Sequence, residues 1–177
     1  MWIYEHNAEN TARFVLGTAG ANPLICFGIN PSVAEPDKLD PTLKRIQKYA
    51  EKQNFDSWIM LNIYPQRATD PQNIHMKIDC ALHEKNLLHI SSVLQRKQFR
   101  ILAAWGGVVT IRDYFTKCLS DIIEIANEND CQWVALGETK NGHPYHPLTR
   151  VKGFSLYGTP PSIFDIHTYL SKYGGEK

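Results

Sequence analysis

Polar residues able to do chemistry recur just after the apolar runs of this chain. The first group is Gly28-Ile29-Asn30-Pro31-Ser32. Gly28 would let a ligand approach the backbone closely. The Asn30 amide could hydrogen-bond a ligand or hold an attacking water, or it could serve the turn before Pro31. Asp40 could activate water as a general base, or simply cap a helix beginning at Pro41. Asn62 presents a donor and an acceptor together, which suits the edge of a base or pyrimidine-like ring; satisfying loop backbone is its alternative use. Tyr64 and Trp105 could stack on a planar ligand or fill the core. Arg67 could grip a phosphate or carboxylate with parallel bonds, or pair with Asp70 in its own loop. His143 and His146 bracket Pro144-Tyr145, in a loop stiffened by Pro144 and Pro147. A histidine held this way can donate to a developing anion or shuttle a proton.

Other chemistries find no support in the pattern. There is no Walker-type, G-x-G-x-x-G or G-x-S-x-G segment, so nucleotide hydrolysis, dinucleotide chemistry and a serine nucleophile are not expected. Cys26, Cys80, Cys118 and Cys131 form no C-x-x-C pair. Their spacing suits neither zinc nor an iron–sulfur cluster, and no metal or cofactor is expected. Free thiols point to a cytoplasmic protein. The formal net charge of +1 over 177 residues gives no global field for a long stretch of nucleic acid, though a local basic patch is compatible with it. No apolar run approaches the roughly 20 residues a membrane span needs, and the N-terminal residues do not read as a signal peptide.

The elements that must position these residues alternate. Apolar runs at residues 24–29, 58–61, 99–105 and 133–136 read as buried strands, and residues 13–17 have strand character. Helical spacing follows at about 41–54, 81–94, 108–126 and 161–170, the first opened by Asp40 and Pro41. Such alternation predicts one α/β domain over residues 1–177: a three-layer α/β/α sandwich with a four-stranded, mostly parallel sheet. All strand carboxyl ends of a parallel sheet share one edge. Asn30, Asn62, Trp105 and His143 follow successive strands and should converge there, where open α/β sheets bind ligands.

An ordered set of segments carries a resemblance. Arg13-Phe14-Val15-Leu16-Gly17, Gly28-Ile29-Asn30-Pro31-Ser32, Asp40-Pro41-Thr42, Leu61-Asn62-Ile63-Tyr64, Arg67-Ala68-Thr69-Asp70-Pro71, Ala104-Trp105-Gly106 and the segment from Gly142 through His146 to Leu148 occur in that order. The set resembles domain of unknown function 1643, a bacterial and phage-associated family, over about residues 13–150. More distantly, Gly28-Ile29-Asn30-Pro31, Asn62 with Arg67 and Pro71, and His146-Pro147 resemble the ordered motifs of uracil-DNA glycosylases. That likeness implies a nucleic-acid-binding hydrolase of the DNA-repair kind. In it Asn30 positions water, Asn62 reads the base edge and His146 stabilises the departing base, with His143 as the alternative. Ser32 stands where many glycosylases carry Gly or Tyr, and Leu148 where the second motif usually continues with Ser. The expected ligand is a nucleobase, nucleotide or short single strand, contacted by Gly28, Ser32, Asn62, Tyr64, Arg67, Trp105 and His143. The catalytic set would be Asn30, Asp40 and His146. A non-catalytic binding module that kept the fold is the other expectation.

Overall fold

The computed structural model describes residues 1–95 and 98–174. Among them, seven strands form one mixed sheet: β1 (Trp2–His6), β2 (Arg13–Thr18), β3 (Pro23–Gly28), β4 (Ser57–Asn62), β5 (Arg100–Ala103), β6 (Gln132–Ala135) and β7 (Ser162–Ile163). Their order is β1-β2-β4-β3-β5-β6-β7. The four strands anticipated from the apolar runs are the central four, β4-β3-β5-β6, and each adjacent pair is parallel. Strand β3 is buried at every residue, as a strand covered on both faces must be.

The expectation of a four-stranded sheet is corrected at both edges. Strands β1 and β2 form an antiparallel hairpin whose inner strand pairs with β4, and β7 pairs antiparallel with β6. The outermost of these additions use little apolar signal, whereas β2 is buried as its strand character predicts. Strand β1 is only half-buried, and both β7 residues are exposed. Short or half-buried strands are a common way to protect the edge of a sheet.

The helices are α1 (Pro41–Lys52), α2 (Cys80–Leu94), α3 (Tyr114–Glu128) and α4 (Ile166–Tyr173). Asp40 caps α1, accepting from the Leu43 N–H at 2.9 Å, and Pro41 opens it. Leu43, Ile46, Tyr49 and Ala50 are its buried stripe, as their spacing predicts. They pack with Leu24, Cys26, Trp58, Met60 and Leu102. The alternate strand residues Ile25, Phe27, Ile59, Leu61 and Ile101 pack with α2, α3 and α4. Alternation along a strand sends neighbouring side chains to opposite faces, so helices cover both faces of the sheet.

Two helices differ from their expected spans. The stretch expected as one helix over residues 108–126 divides into a 3-10 turn, Gly106–Ile111, and α3. The break is at Arg112, whose backbone is extended (φ −137°, ψ 128°). Its buried guanidinium donates to the carbonyls of Gln72, Ile74 and His75, tying the loop after β4 to this point. The β-branched run Val108-Val109-Thr110-Ile111 also favours helix weakly. The last helix starts at Ile166 because Asp165 caps it there, accepting from Thr168 N–H at 3.0 Å. No disulfide joins cysteines among the described residues, and burial pushes the Cys118 thiol up to about 12. No helix among the described residues is long and apolar enough to cross a membrane.

Candidate functional site

The parallel register pairs Gly28 with Asn62, so β3 and β4 reach the edge of the sheet together. The ladder continues one step outward: Ile63 N–H donates to Gly28 O, Tyr64 N–H to Ile29 O and Ala104 N–H to Phe27 O, each at 2.9 Å. The segments after β3, β4 and β5 are thereby laid side by side. The fourth segment joins through Gly106, whose N–H donates to Pro144 O at 3.0 Å. Gly106 sits at φ +64°, and a Cβ there would stand 3.4 Å from His146 Cβ. The backbone segments carrying Gly28, Asn30, Asn62, Trp105, His143 and His146 therefore converge on one edge.

The side chains divide by what they are bonded to. Asn62 is 1% exposed, and among the described residues neither its Nδ2 nor its Oδ1 has a hydrogen-bond partner. Its backbone carbonyl is satisfied separately, by Asn86 Nδ2 at 3.0 Å. A Cβ on Gly28 would lie 3.3 Å from Asn62 Oδ1, so the glycine keeps room beside the amide. Asn30 is half-buried, and its Nδ2 faces three carbonyls: Pro31 at 3.0 Å, Ala68 at 2.9 Å and Gln66 at 3.4 Å. Those carbonyls fix which way the amide points and leave Oδ1 as the acceptor on its other side.

His146 is half-buried, and its Nδ1 accepts from the Leu148 N–H at 3.2 Å. A neutral ring held so carries its proton on Nε2. Burial lowers its pKa, Arg45 lowers it further, and Asp40 acts in the opposite direction. Asp40 therefore faces His146 while its Oδ1 caps α1. His143 is held differently. It is buried, its Nδ1 meets the Tyr169 hydroxyl at 2.9 Å, and its ring lies 4.5 Å from that of Tyr173. Tyr169 also accepts from Trp105 Nε1 at 3.1 Å, so its own proton goes to His143. Burial, then Lys172, lower the His143 pKa.

Trp105 and Tyr64 lie within the core. Trp105 packs against Trp133, Phe164 and Tyr169. Tyr64 packs against Tyr114 and Phe115, and its hydroxyl is shared between His75 and the Asp79 N–H. Neither ring offers an open face at the edge. Arg67 does not pair with Asp70, which instead caps the turn Pro71–Asn73. Its guanidinium holds the carbonyls of Ser32 and Ala34 and the Tyr4 hydroxyl. Ser32 donates to the Thr69 hydroxyl at 3.2 Å. Ser32, Arg67 and Thr69 line a cavity of about 310 Å³ with Asn10 and Glu35.

Arg13, on β2, is a member of this neighbourhood that residue types alone did not single out. It is 2% exposed and donates to Ala34 O at 3.1 Å. Burial first, then Arg67, bring its pKa down to about 10, against the pull of Asp40. A charged residue inside an otherwise apolar strand was the available signal. Among the described residues no three His, Cys, Asp or Glu side chains gather as metal ligands.

Residues 13–148 match the family model described as Protein of unknown function (DUF1643), and the chain belongs to that family. No curated protein and no solved structure matches it.

Proposed function

We propose that this DUF1643 protein is a glycosylase-like domain, three-layered around its four parallel strands, that binds a nucleobase-like ring at the strand carboxyl edge and hydrolyses an N-glycosidic bond. The carrying observation is the Asn62 amide, buried and without a partner among the described residues at that edge. Buried polar groups in folded proteins nearly always find partners, and one left bare beside a glycine suits a ligand that supplies both a carbonyl and an N–H. A pyrimidine edge does this.

The other groups have consistent roles in that reaction. Water hydrogen-bonded to Asn30 Oδ1 attacks the anomeric carbon. The carbon–nitrogen bond breaks with its electron pair going to the base, and Asp40 takes the water's proton. The neutral His146 donates from Nε2 to the departing base anion. Charge developing on the base is where a fixed donor lowers the barrier most. Arg67 and Ser32 shape the adjoining loop through their bonds to it.

A second reading has its own observation. Asp40 already caps α1, and Asn30 Nδ2 already holds loop carbonyls, so both have structural work without catalysis. Uracil-containing single- and double-stranded oligonucleotides separate the two. Release of free base by the parent, lost in Asn62→Leu and in His146→Ala, is the expected result. Retained binding of free uracil by calorimetry without release would leave the non-catalytic module. Neither release nor binding would overturn both.

A further inference from the structure

We propose that the cleft between α1 and residues 149–157 is a docking channel for the sugar–phosphate backbone of a single-stranded nucleic acid. The proposal rests on the preceding reading for its location beside a base-binding edge, and on its own observations for the chemistry. The cleft has a volume of about 500 Å³ and is lined by Arg45, Arg150, Lys152, Phe154, Leu156 and Tyr157, among others.

Helix α1 contributes Arg45 to the lining. Lys48 and Lys52 follow it at i+3 and i+7 on the helix surface, with Glu51 as a neighbour three residues from Lys48. Lys48 Nζ lies 5.2 Å and Lys52 Nζ 5.7 Å from the centroid of the Tyr157 ring. Arg150 and Lys152 are exposed on the facing segment. Among the described residues the ion pairs are those of Asp121 with His83 and Lys117, so none of these five cations is neutralised by a carboxylate.

That concentration matters because the formal net charge of the chain is only +1. Five unneutralised cations on one side repel one another, and a line of phosphates relieves the repulsion while releasing counterions. A neutral base or nucleoside would have no use for them. Phe154 and Tyr157 add half-buried aromatic surface of the kind on which unpaired bases stack. The volume, about 500 Å³, falls in the range of small-molecule pockets.

The channel also leads to the edge site. Arg45 Nη1 donates to Pro147 O at 3.0 Å, and Thr149 N–H donates to His146 O at 2.8 Å. The cleft thus begins immediately after His146. A strand lying in it would bring a base to the groups that surround Asn62 without the protein having to grip the base itself.

The test is fluorescence anisotropy of a labelled oligothymidylate over a series of salt concentrations. Four proteins are compared: the parent, Arg150→Ala/Lys152→Ala, Asn62→Leu, and a charge-matched control, Lys85→Ala/Lys117→Ala, on helices of the opposite sheet face. The parent should bind, with log affinity falling linearly against log salt. The cleft variant should bind at least tenfold more weakly, and its salt slope should flatten by about 1.4, two single-strand phosphate contacts at roughly 0.7 each. The control should stay within about twofold of the parent in affinity, and Asn62→Leu should keep the parent's salt slope whatever affinity it loses at the base. Oligonucleotide binding that survives in Asn62→Leu, with neither uracil release nor binding of free uracil by the parent, would sustain the channel and sink the base reading. No binding by the parent overturns the channel. So does equal loss in the control, a preference for duplex, a salt slope in Asn62→Leu flattened as much as in the cleft variant, or capture by phosphatidylserine vesicles in place of the oligonucleotide.

Discussion

Asp40 has two positions to fill with one carboxylate. Its Oδ1 accepts from Leu43 N–H, and its charge acts on both His146 and Arg13. The two uses come apart on substitution. Asp40→Asn keeps a good helix cap, so urea unfolding should place it close to the parent; Asp40→Ala should lose about 1 kcal/mol. If the carboxylate takes a proton from water, Asn should abolish base release as completely as Ala does, despite its intact stability. Equal activity in the parent and Asp40→Asn would reduce Asp40 to a cap. Asn62 is the reverse case. Among the described residues its side-chain amide has no hydrogen-bond partner at either polar atom, which is why it carries the proposed base contact.

At the level of elements, the site depends on how tightly β2 closes against β4. Gly17 is the point of contact: a Cβ there would lie 2.2 Å from Trp58 O and 2.8 Å from Ile59 Cα. Both are backbone atoms of a central strand and cannot yield as a side-chain end would. Gly17→Ala should therefore cost about 3 kcal/mol or more, at or above the usual range for overpacking. A shift in the urea midpoint of less than 1 kcal/mol equivalent would show that the hairpin can slide. Gly28 makes an instructive contrast. Its Cβ would meet Met60 Cε at 2.6 Å, the flexible end of a side chain, so the clash there can relax.

On the scale of the whole molecule, several histidines have folded-state pKa values below their ordinary one. Burial is the leading cause for His89, His143 and His146. The unfolded chain then binds protons more readily than the folded one. Stability from these residues is complete above the unfolded pKa near 6.5 and is lost as pH falls through their lower folded values. The melting temperature should hold from pH 8 to about 7 and decline below about 6.5. A His143→Gln/His146→Gln variant should show a shallower decline between about pH 6.5 and 5. Parallel curves for the two proteins would mean that these rings do not govern the acid limb.

The central strands are legible in the residues alone. Four apolar runs followed by turn residues read as buried strands, and their alternation with helical stripes points to the parallel pairing that β4, β3, β5 and β6 show. Asp40-Pro41 marked a helix start that the fold uses as expected, because capping is decided within a few residues. The edge strands were not legible in the same way. β1 and β7 carry little buried apolar surface, and their pairing is set by partners distant in the chain. Tertiary structure also decided which candidate residues are free to act. Tyr64 and Trp105 have the right types and stand after the right strands, yet Tyr169, His75 and the core hold their polar atoms, and Tyr169 holds Nδ1 of His143. Asn62 has the same kind of sequence context, and its amide is without a partner among the described residues. Residue type and spacing place a side chain at an edge; only the packing of elements far apart in sequence determines what it is bonded to there.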